Sequence, residues 1–270
     1  MLRGSRPPAR ARVHRTRGSP RVPCGIRRAV PAAAAVAVLC AAAPAGSAAP
    51  PPERFDVPAP SRHGGATVAR IVRATPALPR LYSRRPRRAV GPHTAWTGQP
   101  QVLLVLDAAV HDRREWVKVR LAERPSGSAA WIRRDHVVLA RTGYWVRVRI
   151  RSRRVTVFRH GVRVRSFRAV VGGPASPTPL GLAAVYERNR QPDPAAFIGP
   201  WALALTSLSD VIQEFDGGPG RIAIHGRGGA SLLDPLGSAR SLGCVRVDNA
   251  AVAWLAARLP AGTPVRVTPT

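Results

Sequence analysis

Cysteine is scarce in this chain, with three in 270 residues, and two of them, Cys24 and Cys40, lie in an N-terminal segment that reads as an export signal. With that segment removed or left in the membrane, Cys244 has no disulfide partner, which excludes a disulfide-stapled scaffold. A lone thiol kept outside the cytoplasm, in Ser241-Leu242-Gly243-Cys244-Val245-Arg246, points to reactivity rather than packing. Acidic residues are also few, 14 against 43 basic ones for a formal charge of +29, and every basic residue except Lys118 is arginine. Long apolar runs are missing too: Ala29 to Ala43 falls short of the about 20 residues of a membrane helix. There is no basic-aromatic motif and no zinc-finger spacing, and with the export signal this argues against nucleic acid as a partner.

The first 28 residues hold nine arginines and no acid, and they lead into the apolar stretch and then Gly46-Ser47-Ala48-Ala49. Basic, apolar and small-residue regions in that order make residues 1–49 a secretion signal, or alternatively a retained membrane anchor. Without its nine arginines the chain keeps 34 basic residues against 14 acidic ones, a charge of +20. Biased genomic composition accounts for most of this, but an exported arginine-rich surface is also drawn towards anionic wall polymers and phospholipid headgroups.

Residues 50–65 are rich in Pro, Ala and Gly and read as a linker. From 66 to 141 come short apolar runs broken by turn signals, among them Thr67–Val72, Gln101–Leu106, Trp116–Leu121, Ala130–Ile132 and Val137–Leu139, which predict a small barrel. Trp116 and Trp131 form either an aromatic binding face or part of its core. From 142 to 270 apolar residues alternate with arginine, as in Trp145–Arg151, Val155–Arg159 and Val162–Val171, the pattern of half-buried antiparallel strands. His160-Gly161 predicts the hairpin turn between the last two of these. Asp248-Asn249 caps a short helix over Ala250–Leu259, and Pro264–Val267 forms a last strand.

Two residues carry the chemistry. His225 ends the run Arg221-Ile222-Ala223-Ile224, so a strand delivers its imidazole to a sheet rim, and Gly226 lets the chain turn away. Cys244 follows nineteen residues after His225, between a glycine and a Val-Arg strand. A thiol with a pKa of about 8.5 is only a few per cent ionised at neutral pH, so it needs an imidazole to take its proton or to hold the thiolate as an ion pair. Gly243 leaves room for a substrate carbonyl, and backbone N–H groups of Leu242, Gly243 and Cys244 are the candidate oxyanion donors. Arg246 either binds a substrate carboxylate bidentately or ties the loop down. The remaining loop histidines, His63, His93, His111, His136 and His160, read as solvent-exposed.

Ile222-Ala223-Ile224-His225-Gly226 followed by Ser241-Leu242-Gly243-Cys244-Val245-Arg246 resembles the signature of the L,D-transpeptidase (YkuD-like) catalytic domain. Gly172-Gly173 with Ser176-Pro177-Thr178-Pro179-Leu180-Gly181 is similar to the family's Thr-Pro-x-Gly segment, and Leu205-Thr206 with Asp210-Val211 to the region ahead of its histidine. The stretch from Glu115 to Ile132 resembles the hairpin of bacterial SH3-like domains, modules that bind wall polymer or brace an enzyme. The resemblances imply a mostly β chain, an SH3-like barrel followed by a β-rich catalytic domain with a short C-terminal helix. They imply action on peptidoglycan stem peptides: Cys244 attacks the L-centre carbonyl of the third residue of a tetrapeptide, D-alanine leaves, His225 serves as base, and an acceptor side-chain amine resolves the thioester. No metal or cofactor is implied, and carbapenem β-lactams are the implied inhibitors. Ser241 keeps its family identity, whereas Leu242 stands where the family carries histidine, which touches rate or acceptor choice more than reaction type. Hydrolysis of the same thioester, an L,D-carboxypeptidase, and a catalytically silent wall-binding protein are the alternatives.

Overall fold

Alternation of apolar and polar residues dominates the chain, and in the computed structural model, which describes residues 57–215 and 217–270, it becomes strand after strand. The leader, Cys24 and Cys40 lie outside the described residues, as does the front of the segment read as a linker. The rest of that segment makes contacts: Val57 packs on the first core, and the Ser61 N–H donates to the Gly65 carbonyl at 2.9 Å.

The first half contains β1 (Ala66–Ile71), β2 (Thr75–Ala77), β3 (Arg88–Val90), β4 (Val102–His111), β5 (Arg114–Arg120), β6 (Ala129–Arg133) and β7 (Val137–Thr142). Five of these form an antiparallel sheet in the order β6-β5-β4-β1-β7, while β2 and β3 pair separately. Its core collects the inward positions Leu103, Val105, Val117, Val119 and Ile132. Trp116 and Trp131, each 9% exposed, pack with Leu78 and Ala109, so the core alternative holds for both.

The second half contains β8 (Tyr144–Arg149), β9 (Arg154–Arg159), β10 (Val162–Arg168), β11 (Val171–Gly172), β12 (Gly181–Arg190), β13 (Trp201–Leu208), β14 (Arg221–His225), β15 (Ala239–Ser241), β16 (Val245–Arg246), α1 (Asn249–Arg258) and β17 (Pro264–Thr268). Eight strands make one sheet in the order β10-β9-β8-β17-β12-β13-β14-β16, and β11 pairs with β15. His160 and Gly161 both have positive φ, 48° and 81°, the backbone of a type I′ turn whose twist suits the β9–β10 hairpin. On the edge strand β10 the exposed Arg163 and Arg165 oppose pairing with a further strand.

The strands β12 and β13 carry no clean alternation in the sequence, because in mid-sheet they are buried on both faces. Tyr186 of β12 belongs to the first core, and Ala184 packs with Ala66 and Leu104, so this strand joins the two halves. Asp248 caps α1 by accepting the Ala250 N–H at 2.9 Å, and the helix buries Ala251, Val252, Leu255 and Ala256 in the larger core. That helix packs on β13 and β14, and so backs the strand that ends in His225.

Candidate active site

On β14 the side chains of Ile222 and Ile224 enter the core, which leaves Arg221, Ala223 and His225 on the opposite face. Gly226 does not adopt a left-handed conformation, so the reason for glycine is space rather than a sharp turn. A Cβ there would stand 2.4 Å from Asn249 Oδ1 and 2.9 Å from Pro200 Cδ. Asn249 uses this close approach to clamp the next residue, accepting the Arg227 N–H at 2.7 Å and donating to its carbonyl at 2.8 Å.

His225 is 3% exposed. Its Nδ1 faces two carbonyls, Gly226 at 2.8 Å and Ile198 at 3.3 Å, and therefore carries the proton, leaving Nε2 as the basic nitrogen. Burial, reinforced by the nearby Arg246 charge, lowers the imidazole from 6.5 to about 4 against the opposing effect of the two carbonyls. The ring is neutral at neutral pH.

The parallel pairing of β16 with β14, Ile224 to Val245 and His225 to Arg246, brings the residue before Val245 alongside the histidine strand. That residue is Cys244, partly exposed, with its Sγ 3.8 Å from the Arg221 carbonyl. Burial raises its thiol above the usual value, offset in part by the Ala223 backbone and the Arg246 charge. A lowered imidazole and a raised thiol make the resting pair neutral on both sides.

The loop before Cys244 is fixed by hydroxyl groups. Ser176 Oγ donates to the Leu242 carbonyl at 2.9 Å, and Thr178 Oγ1 donates to the Gly243 carbonyl at 2.8 Å while accepting the Gly172 N–H at 2.9 Å. The Thr-Pro-x-Gly segment is thus the brace of the cysteine loop. Ser241 Oγ, 3% exposed as a residue, donates to the Cys244 carbonyl and accepts the Gly243 N–H at 3.2 Å. This corrects the set of candidate oxyanion donors: the Gly243 N–H is already engaged, whereas the Leu242 and Cys244 N–H groups have no partner among the described residues. Gly243 itself has φ of 111°, which favours glycine.

Arg246 is 4% exposed, pairs with Asp234 at 2.5 Å and stacks over the Phe197 ring at 4.8 Å. These contacts support the structural reading of the two, while Arg246 also lines the site cavity. His225, Cys244, Leu242 and Arg246 line a single cavity of about 630 Å³, walled mainly by apolar side chains that include Phe197, Ile212 and Phe215. Gly226, Ser241 and Gly243 support it from outside, and none of His63, His93, His111, His136 and His160 lines it.

Sequence reasoning missed several supports. Asp234 is an acid in a chain with few, which was its one available signal. Arg124, from the β5–β6 connection, donates to the carbonyls of Ser209, Ile212, Gln213 and Pro219, and Ser126 Oγ exchanges hydrogen bonds with the Leu208 backbone at 2.8 and 2.9 Å. The first half of the chain therefore holds the 209–220 loop that walls the cavity. Among the described residues no group of three or more His, Cys, Asp or Glu is placed to hold a metal ion.

Residues 143–267 match the family model of the YkuD L,D-transpeptidase catalytic domain. A YkuD protein of Bacillus licheniformis is 30% identical over 126 residues, covering 47% of this chain and 66% of the relative. Among solved structures, an L,D-transpeptidase from Mycobacterium smegmatis is 15% identical with a TM-score of 0.38, over 74% of this chain and 99% of that one. The L,D-transpeptidase LdtMt1 in complex with imipenem is 16% identical with a TM-score of 0.38, over 62% and 91%. Residues 143–267, the second half of the chain, are thereby matched to the L,D-transpeptidase catalytic domain by the family model, and the chain is similar over 126 residues to a YkuD protein.

Proposed function

We propose that this protein is a peptidoglycan L,D-transpeptidase with Cys244 as nucleophile and His225 as base. The observation that carries the reading is a neutral imidazole at the end of β14 and a neutral thiol just before its parallel partner β16, both lining one apolar cavity. His225 Nε2 accepts the thiol proton as Sγ bonds to the L-centre carbonyl of the donor's third residue. The Leu242 and Cys244 N–H groups stabilise the oxyanion. The carbon–nitrogen bond then breaks, and D-alanine leaves with the proton held on His225. An acceptor amine attacks the thioester, His225 takes its proton, and sulfur departs as the thiol. No step calls for a metal or cofactor. The apolar walls favour an amine over water as acceptor, and so transfer over L,D-carboxypeptidase hydrolysis.

In this reading the protein is exported and works at the cell wall, and its first half is an SH3-like module that braces the enzyme. The hold of Arg124 and Ser126 on the 209–220 loop and the burial of Trp116 and Trp131 support bracing. The exposed arginines of β10 suit anionic wall polymers. A carbapenem such as imipenem would acylate the same sulfur.

The test is mass spectrometry of products from a disaccharide tetrapeptide bearing a third-position diamino acid. A cross-linked dimer that is lost in Cys244→Ala is expected. Tripeptide without dimer would reassign the protein as a carboxypeptidase, and no product with no acyl adduct would leave a wall-binding protein.

A further inference from the structure

Next to the cysteine cavity, and sharing the Arg221, Ala223 and Phe215 wall with it, lies a second cavity of about 730 Å³. Its lining includes Trp96 from the first half and Glu187 and Asn189 from β12. Glu187 is 1% exposed, yet among the described residues no Lys, Arg or His lies within ion-pair distance of it. Among the described residues its carboxyl accepts two long hydrogen bonds, from the Thr97 N–H to Oε1 and from Asn189 Nδ2 to Oε2, both 3.4 Å. Gln99 Nε2 donates to Asn189 Oδ1 at 2.9 Å and so turns the amide nitrogen of Asn189 towards the carboxyl. Arg221 feels the Glu187 charge without a hydrogen bond to it: it donates to the Leu205 and Ala122 carbonyls at 3.1 and 3.4 Å and lies over the Tyr186 ring at 4.8 Å. A buried acid with so few donors is left ready for a cation.

We propose that this second cavity is the subsite for the side-chain ammonium of the donor's third residue, with Glu187 as its carboxylate and Trp96 as its aromatic wall. The proposal rests on the transpeptidase reading and specifies its substrate. A carboxylate and an indole face together recognise an ammonium by charge-assisted hydrogen bonding and cation–π attraction. The sheet register supplies the scale. Glu187 pairs with Ala204, which pairs with Ala223, and the cysteine strand is the next one across. Three inter-strand steps separate Glu187 from Cys244, roughly 14 Å. From the acylated carbonyl carbon to the side-chain nitrogen of a diamino acid is six bonds, roughly 7 Å when extended. The sulfur–carbon bond, one ammonium–carboxylate contact of about 2.8 Å and the lean of the Glu187 side chain span what remains. The small Ala202 and Ala204 leave the intervening sheet face open for such a chain.

The test measures binding without turnover, by calorimetry on the full chain carrying Cys244→Ala. Two tetrapeptides are compared, one with the third-residue side-chain amine free and one with it acetylated. The free amine should bind about ten-fold tighter, and Glu187→Gln should abolish that preference while leaving the acetylated peptide unaffected. Equal affinities on the protein with Glu187 intact would overturn the subsite without any variant, as would a preference that survives Glu187→Gln. Absence of Cys244-dependent product would sink the transpeptidase reading and leave this readout standing, so the two failures are separable.

Discussion

A buried imidazole lowered to about 4 ties stability to pH. Between pH 6.5 and 4 the unfolded chain binds a proton at His225 that the folded chain refuses, so stability rises with pH through that window and is lost as pH falls. The full effect is about 3 kcal/mol at most. Urea denaturation at pH 7 and pH 4.5 should show that loss in the unaltered protein and a smaller one in His225→Gln. The raised Cys244 thiol acts at the other end: above the unfolded thiol's pKa the unfolded state sheds a proton that the folded state keeps, so stability declines there. Thr178 is the other residue with a sharp expectation. Thr178→Val keeps the shape but strands the Gly172 N–H and the Gly243 carbonyl, which should cost roughly 2 kcal/mol and slow acylation of Cys244. Intact-mass kinetics with a β-lactam would measure the slowing.

Among the elements, the 209–220 loop depends most on a distant part of the sequence. One guanidinium, Arg124, collects four of its carbonyls, and arginine's planar fork suits this in a way an ammonium does not. Arg124→Ala should speed amide hydrogen exchange across residues 209–220 and lower kcat/KM about ten-fold on tetrapeptide, with Arg124→Lys restoring little. Unchanged exchange would show that the loop is held by other means. This coupling was not legible in the sequence, since nothing local marks an arginine in a turn as the partner of carbonyls 85 to 95 residues on. The strands β8 to β10 and β17, and the helix α1, were legible, because alternation beside solvent and the Asp248 cap are local signals. The strands β12 and β13 were not, since burial on both faces erases the period and the polar Glu187 and Asn189 serve a cavity instead of solvent. For Arg246 the sequence left two readings, and the neighbours that support the structural one, Asp234 and Phe197, are not marked in the sequence.

For the whole molecule, charge and architecture divide the work. The site itself is walled mainly by apolar side chains, while exposed arginines lie on outward positions such as those of β10. Retention on isolated wall sacculi should therefore fall steeply as salt rises, whereas turnover of a small soluble tetrapeptide should change little. Co-sedimentation and a peptide assay across the same salt series would check both. The placement of His225 at a strand end and of Cys244 after a glycine was legible because both positions are written locally. What the sequence did not carry is their protonation state, which burial sets.

That state is open to direct measurement as the pH dependence of Cys244 acylation by imipenem, followed by intact mass from pH 3.5 to 8. A neutral pair with His225 as base predicts an adduct absent in Cys244→Ala and a rate flat from about pH 5 to 8, falling with a midpoint near 4. A midpoint near the ordinary histidine value of about 6.5, or an adduct that survives Cys244→Ala, would contradict the account.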